Sequence, residues 1–577
     1  MRRSGYVPAD SSFPFVGLNL LTPSTMGNPQ SVVRSDNVVF TKGHVSTRPG
    51  LTTKGMSGLS GFGLLKAPKL FSFGAYLYLV GDSKLYEGYT TTWTERTPYY
   101  QKQDITGTVT GTVVAGNLLR QDVTNATGTV ISVAGSGPHT VTIMLTYGVF
   151  SGDNDIQNLS DTGSIESVTA YSALSTSTTV VVVDSDRPEF TVVSGTEGEF
   201  IVMCGRSLTP VVQGARTATF TPFCTNLAFQ GLTTTSLNWE TMAQFANHFL
   251  VALEHTAGTT YGYTIYWSTA YSVFDFATGT SGIMQIPSTT GIIKRLVPFR
   301  DRLAVYTENG IGLITYVGDP QIFVYEQVVV GTNLLLPQAV VPLGPYHLIV
   351  FEKSVMLFDG SPILKNIGEA IELELRTVTQ SVANGHACAD LTRNRAYISP
   401  DGTFYYVLEW DQLDFATYRW TKYTFDEDIS ISDLVYHASL DNVTGMTLSN
   451  GTNYVAAYLE LDLSYSQTAD LGSFVITSIL DTIDFTVPVE YQSELGRWNK
   501  VEVEMKGAGD ITLQYSLDLG VTFTTIDTIT LTSTWTRYVG LFDTVSRTIR
   551  FRISAASTTA KFEIRWLRGW FLAVGSR

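Results

Sequence analysis

The segment Ser516-Leu517-Asp518-Leu519-Gly520-Val521-Thr522-Phe523 fits the S-x-D-x-G-x-[ST]-[WF] pattern of an Asp-box. In that pattern the Asp side chain caps a tight hairpin by bonding nearby backbone, and Gly permits the positive φ of the turn. Sialidases repeat the box through a propeller, so it hints at glycoside chemistry. Here it occurs once, near the C-terminus, and carries no catalytic atoms. It reads as a folding device. Glycoside hydrolysis needs two carboxylates flanking one bond. The 52 acids offer two dense groups, Glu369/Glu372/Glu374 and Asp426/Glu427/Asp428. The first alternates with Ile367, Ile371, Leu373 and Leu375 as an amphipathic edge would, and the second is a turn-like cluster. Both read as solvated faces or loops.

The seven histidines (His44, His139, His248, His255, His347, His386, His437) are scattered. His248 and His255, seven apart in a strand-rich stretch, are too loosely spaced for a ligand set. No G-x-S-x-G, P-loop or H-E-x-x-H occurs. The expectation is a chain that is not an enzyme, with no catalytic, cofactor-binding or metal-binding residues. Three cysteines, Cys204, Cys224 and Cys388, lack C-x-x-C spacing, which excludes a disulfide framework and a zinc knuckle. They read as reduced, buried thiols, with a Cys204–Cys224 hairpin bridge left open. Positive charge gathers late: Arg537, Arg547, Arg550, Arg552, Lys561, Arg565, Arg568 and Arg577 lie in the last 41 residues. Period-2 spacing puts Arg550 and Arg552 on one strand face. Pairing with acids such as Glu563, or with a neighbouring subunit, is expected there ahead of a phosphate contact.

The whole chain of 577 residues carries a net charge of −15, and only 15% of it is charged, against roughly 25% in an average soluble domain. With 44% hydrophobic and 12% aromatic residues, disorder and a coiled coil are excluded. Acid excess without a Lys/Arg cluster excludes a module that grips nucleic-acid phosphates. The N-terminus has no apolar signal-peptide core, and no apolar run approaches the ~18 residues of a membrane span. Synthesis and retention in the cytosol, or exit by a route other than secretion, is expected.

Abundant Thr, Tyr, Val and Gly suit pleated strands and tight turns. Residues 1–63 read as an extended arm that needs a partner surface, with a hairpin around Asn37-Val38-Val39-Phe40 and Gly43 to Leu51. From residue 64 a strand–turn–strand unit recurs, as in Leu77-Tyr78-Leu79-Val80-Gly81-Asp82-Ser83-Lys84-Leu85-Tyr86-Glu87-Gly88. Further starts fall near residues 200, 248, 302, 347 and 396. Several strands per ~40–50 residues is the signature of a β-propeller. Residues 104–188 break the period with Thr/Val/Gly/Ser-rich segments. The expected fold is all-β: a propeller of about six to seven blades (64–103 and 189–465), a small β-barrel or sandwich inserted into the first blade (104–188), and a C-terminal β-sandwich (466–577).

Taken in order, Asn37…Thr47-Arg48-Pro49-Gly50-Leu51, the 77–88 unit, Phe299-Arg300-Asp301-Arg302-Leu303-Ala304-Val305, Gly318-Asp319-Pro320-Gln321-Ile322-Phe323 and Tyr515 to Gly520 resemble the tail nozzle family of short-tailed bacteriophages, also called tail tubular protein B or packaged-DNA stabilisation (tail hub) protein. The resemblance implies a structural virion protein assembled in the host cytoplasm. It implies a homohexameric ring below the adaptor and portal that continues the DNA channel, retains the packaged genome and passes it during ejection. Tail fibres or spikes would be further partners, and dsDNA would pass without specific binding. No catalytic residues come with the family. An acidic, charge-sparse wall would repel phosphates, in line with that role. The rival reading is a glycan-binding or glycan-cleaving propeller, such as a tail depolymerase or receptor-binding protein.

Overall fold

A computed structural model describes the chain except residues 1–6, 12–16, 19–30, 42–43, 50, 54–68, 82–83, 90–91, 97–98, 116, 122–125, 148, 153–154, 159–162, 181–187, 197, 206–207, 214–220, 223–237, 256–260, 277, 333, 335, 382–383, 413, 427–428, 450–452, 460–468, 471–473, 488–494 and 575–577. The fold is all-β. Five four-stranded antiparallel sheets follow one another along the chain, with first strands Lys69–Phe73, Glu189–Gly195, Trp239–Phe245, Ile293–Phe299 and Val340–Leu343, and a sixth antiparallel set of four strands, opening at His386–Asp390, is part of a larger sheet. A seventh sheet takes Ser430–His437, Asn442–Ser449 and Asn453–Tyr458, and its fourth strand is Thr52–Thr53 from the N-terminal arm. First strands lie side by side from blade 2 to blade 4 and from blade 5 through blade 7 to blade 1, and shared core clusters join blade 1 to blade 2 and blade 4 to blade 5. The ring is therefore a closed seven-bladed propeller with the first strand of each blade innermost. The repeat starts legible in the sequence are the second strands, such as His248–Leu253 and Arg302–Thr307.

Each blade is apolar on both faces because neighbours cover it. His248–Leu253, for example, is buried along its whole length. The resulting clusters bridge adjacent blades: Val297 and Phe299 of blade 4 pack with Val340 and Ile349 of blade 5.

The inserted domain is a closed barrel. Tyr99–Thr110 pairs with both His139–Tyr147 and Ser164–Tyr171, which seals a six-strand circuit around Ile105, Val141, Ile143 and Ile165. It lies between blades 1 and 2, since blade 1 completes its four strands at Thr92–Glu95. The expected insertion within the first blade is thus corrected, and a boundary at 103/104 would cut the strand Tyr99–Thr110. A Thr-rich strand with few charges has the same local composition on either side of that point.

Two sheets form the C-terminal sandwich around a core that includes Trp498, Val501, Phe551, Ile553, Leu567 and Phe571. The long strands Leu495–Ala508 and Lys561–Val574 alternate buried and wetter positions, as expected of a one-sided sheet. The arm completes both sheets. Val7–Ser11 and His44–Thr47 pair with Lys561–Val574, and Ser31–Asp36 pairs with Phe474–Thr482. The described strands of the arm thus find their partner surface within the same chain. One bridge, Asp36 to Lys422, joins the second sandwich sheet to the last strand of blade 6, so a single hydrogen-bonded sheet runs from propeller to sandwich.

Candidate functional site

Three modules meet at Arg48, whose side chain and that of Asp470 are each 1% exposed. All five guanidinium N–H groups find acceptors. Nη1 donates to Asp470 Oδ1 at 2.7 Å and to the Pro49 carbonyl at 3.0 Å. Nη2 donates to Asp470 Oδ2 at 2.5 Å and to the Thr424 carbonyl at 3.3 Å, and Nε to Asn37 Oδ1 at 2.9 Å. The rings of Tyr423 and Phe425 stand 5.5 and 4.9 Å from the guanidinium carbon. Asp470 also accepts the Leu51 amide at 2.9 Å.

Asn37 completes the node. It sits at φ 54°, a left-handed conformation that Asn tolerates better than most residues. Its side chain accepts the Thr424 amide and donates to Thr424 Oγ1 and the Thr477 carbonyl. Its backbone bonds Lys422, Arg48 and Ser478. Arm (37–51), blade 6 (422–425) and sandwich (470–478) are thus welded by one buried, charge-assisted network. Breaking such a pair by removing one partner costs about 3–5 kcal/mol. The Arg48–Asp470 contact spans 422 positions, so spacing could not reveal it. The stretch Thr47-Arg48-Pro49-Gly50-Leu51 drew notice in the sequence, and its Gly50 lies outside the described residues.

A second polar system rings the propeller axis. Bulges at Trp239/Thr241, Ile293/Arg295 and Ile431/Asp433 interrupt three inner strands just before the side chain that staples the next blade. Glu189 of blade 2 takes the Thr241 hydroxyl and the Met242 amide of blade 3. Thr241 Oγ1 then accepts the Leu296 amide of blade 4 at 3.0 Å. Arg295 donates to the Pro337 and Val340 carbonyls at 2.6 and 3.0 Å. Asp433 of blade 7 accepts the Leu70 amide of blade 1 at 2.9 Å. Burial pushes the Glu189 carboxyl up to about 7 despite Arg295 at 3.7 Å.

Residues singled out by type also have structural partners. His347 Nδ1 is 2.6 Å from the Tyr306 hydroxyl and Nε2 is 3.0 Å from the Pro298 carbonyl. That carbonyl can only accept, so Nε2 carries the proton and Nδ1 accepts from Tyr306. Burial lowers His347 to about 4 and pushes Tyr306 well up, so both are neutral. His248 bonds the Ser268 carbonyl, and His386 bonds the Asn384 carbonyl and the Tyr405 hydroxyl. Cys204 and Cys388 are buried free thiols, and burial raises both. Cys224 lies outside the described residues.

Glu369, Glu372 and Glu374 are not on a strand edge. They lie on the helical turns Glu369–Ile371 and Glu372–Leu375, where Ile371 and Leu375 bury one face and alternation gives way to i,i+4 spacing. Glu372 pairs with Arg376 and Glu374 with Lys422. Asp426 is half-buried, and Glu427 and Asp428 lie outside the described residues. Among the described residues no group of three His, Cys, Asp or Glu side chains could hold a metal ion.

In the Asp-box, Asp518 accepts the Thr522 amide at 2.9 and 3.0 Å, the Thr522 hydroxyl at 2.5 Å and the Ser516 hydroxyl at 2.6 Å. These bonds hold its carboxyl well below the usual range. Gly520 sits at φ 91° with an added Cβ 2.4 Å from Arg550. Arg550 pairs with Asp484, and Arg552 with Asp481 beneath the Phe523 ring at 3.6 Å. Glu563 pairs instead with Lys506 and His44.

No protein-family profile matches the chain, and no curated protein matches it. Among solved structures, the chain is similar to AztD from Citrobacter koseri at 12% identity, covering 62% of this chain and 98% of that one with a TM-score of 0.27. It is similar to the β-propeller domain of Myceliophteria thermophila Cps50 at 11% identity, 48% and 87% coverage, and a TM-score of 0.27. An exo-β-1,3-galactanase from Phanerochaete chrysosporium is 8% identical over 90% of this chain and 99% of that one, with a TM-score of 0.17. The propeller rests on the strand order and ring closure, not on these likenesses.

Proposed function

We propose that the chain is a structural virion protein, a tail nozzle or hub subunit whose ring continues the DNA channel, retains the packaged genome and passes it at ejection. The observation that carries this reading is the Arg48 node. Asn37, Arg48 and Leu51, part of the pattern by which the chain resembles that family, are spent on fastening three modules into one body. Titratable groups elsewhere follow suit: Glu189, His347, Asp518 and Arg550 each hold a turn or a neighbouring strand. A net charge of −15 per copy favours passage of DNA over adhesion. Adaptor and portal proteins on one side and fibres or spikes on the other are the proposed partners, and no enzymatic activity is assigned. Among the described residues no helix is long and apolar enough to cross a membrane.

Negative-stain microscopy of the purified protein tests the reading. Rings of six-fold symmetry are expected, and a stable monomer that cleaves a polysaccharide would overturn it.

A second reading, a glycan-binding propeller with an accessory sandwich, is favoured by Trp566 and Trp570. These half-buried indoles lie on the outer face of Lys561–Val574, flanking Arg568 at 5.6 and 5.9 Å. Retention on polysaccharide columns, lost in Trp566→Ala/Trp570→Ala, would support it.

A further inference from the structure

The sandwich sheet built on Leu495–Ala508 and Lys561–Val574 carries three tryptophans on its outer face. On Lys561–Val574 the core takes Phe562, Ile564, Leu567 and Phe571, and alternation with one bulge at Arg565 turns Trp566, Arg568 and Trp570 outward. Glu504, Glu502 and Lys500 of Leu495–Ala508 stand opposite these three in register. Trp566 and Trp570, four residues apart, are separated by about 13 Å along the strand. The third indole, Trp535, precedes Thr536–Ser546 and lies 4.0 Å from the Arg565 guanidinium carbon and 5.1 Å from Lys506 Nζ. Lys500 Nζ stands 4.3 Å from the Trp570 ring, and Arg568 lies between Trp566 and Trp570. Cation–π contacts thus hold all three half-buried rings in place, so a ligand would meet a preorganised surface.

The charges of this face are matched to one another. Glu504 pairs with Arg565 at 3.8 Å, Glu563 with Lys506 at 3.1 Å, and Glu502 with Lys500 and Arg537 at 2.8 and 2.5 Å. Such pairing leaves little to draw a phosphate or a uronate, and the interleaved carboxylates would repel either. Glu502 is buried, whereas Glu504, Arg565, Glu563 and Lys506 keep contact with solvent and set acceptors beside donors. The core of a protein–protein interface is depleted of charge, but here a charged residue adjoins every indole, and the aliphatic Val539 and Leu541 keep to the edge strand. Aromatic rings separated by donor–acceptor pairs complement a ligand with apolar ring faces and a hydroxylated rim. A neutral sugar has that form.

We propose that this face is a platform for a neutral polysaccharide, one chain lying along Lys561–Val574 with sugar rings stacked on Trp566 and Trp570 and hydroxyls bonded to the Glu504–Arg565 pair. The inference deepens the second reading above and rests on it. It narrows the ligand to an uncharged glycan and the site to the sandwich, and it asks nothing of the propeller.

Native affinity electrophoresis of the full chain tests it, in gels that hold a soluble β-glucan, a galactan, a mannan or, as the charged control, polygalacturonate. Retardation by at least one neutral polymer is expected, and salt should leave it unchanged because no net charge is exchanged. Trp566→Ala and Trp570→Ala should each weaken it about 10-fold, and Trp566→Tyr, which keeps a ring, should lose less. Tyr271→Ala, on an exposed propeller loop, should bind as the unmodified chain does. Unchanged circular dichroism and melting temperature confirm folding, and Glu504→Gln, which leaves every indole in place, gives a milder weakening should an alanine variant misfold. Retardation by none of the polymers overturns this inference and the second reading together. Retardation that survives in both alanine variants, or that favours polygalacturonate and fades with salt, overturns the neutral-sugar platform and leaves glycan binding elsewhere on the chain standing. The six-fold ring is scored separately by microscopy and falls with none of these results.

Discussion

In the propeller, Glu189 has Arg295 at 3.7 Å and burial still pushes its carboxyl up to about 7. In the sandwich, burial works against Glu502 as well, yet Lys500 at 2.8 Å and Arg537 at 2.5 Å hold it down to about 2. The difference lies in donors per carboxylate. Glu189 joins one blade to the next through a hydroxyl and an amide, with its one cation at long range. The sandwich acids Glu502, Asp481 and Asp484 are each gripped by at least one closely placed cation. The contrast belongs to the individual carboxylates and not to the modules, since within the propeller Glu409 is gripped by Arg395 and Asp390 by Arg393, each at 2.7 Å. The Arg48 node, placed where the two modules join, is of this closely paired kind.

The largest expected effect breaks that join. Arg48→Met leaves Asp470 buried with the Leu51 amide as its remaining described donor, and the urea midpoint should report a loss of about 3–5 kcal/mol. A loss under ~1 kcal/mol would show that the node is dispensable. Thr241→Val deprives Leu296 N–H of its acceptor and Glu189 of a donor, so about 1–3 kcal/mol should be lost. Hydrogen exchange should place that loss in blades 2 to 4 and leave Lys561–Val574 unchanged.

Acid should separate the regions further, with opposite signs inside the propeller. The folded value of His347, about 4, lies below its ordinary 6.5, so stability falls as pH drops from about 6.5 to about 4. For Glu189 the folded value, about 7, lies above its ordinary 4.5, so acidification from about 7 to about 4.5 adds stability. The two oppose each other in the unmodified chain. His347→Gln should therefore uncover a rise in urea midpoint from pH 7 to 4.5, and Glu189→Gln a fall over pH 6.5 to 4. Glu502 withdraws its contribution only as pH falls from about 4.5 to about 2, so sandwich protection, corrected for intrinsic exchange, should show no difference between the unmodified chain and Glu502→Gln in its pH dependence above pH 4.5. Equal slopes in both variants would erase the contrast. The smallest effect is local: Asp518→Ala should speed exchange of the Thr522 amide without moving the global midpoint.

The repeating strand pairs were legible because each blade's second strand is buried over most of its length and preceded by a turn, as at Ala246-Asn247 before His248. The seventh blade was harder to count. Its closing strand, Thr52–Thr53, stands some four hundred positions from its partner Asn453–Tyr458. Local alternation gave Arg550 and Arg552 a common face but not Asp484 and Asp481 opposite them, since strand order in a sandwich is set by long-range packing. The node was illegible for the same reason: Asn37, Arg48, Thr424 and Asp470 have no shared period. Glu369 to Leu375 read as an amphipathic edge without revealing its helical turns, because alternation of acids with Ile and Leu fits a strand edge and an i,i+4 helical face alike.

Calorimetry of the unmodified chain beside Asp470→Ala tests most directly whether the arm welds the two modules. The propeller and sandwich should unfold in one transition in the unmodified chain and in two separate transitions once Asp470 is removed. Two transitions in the unmodified chain, or a single unshifted one in the variant, would contradict the account.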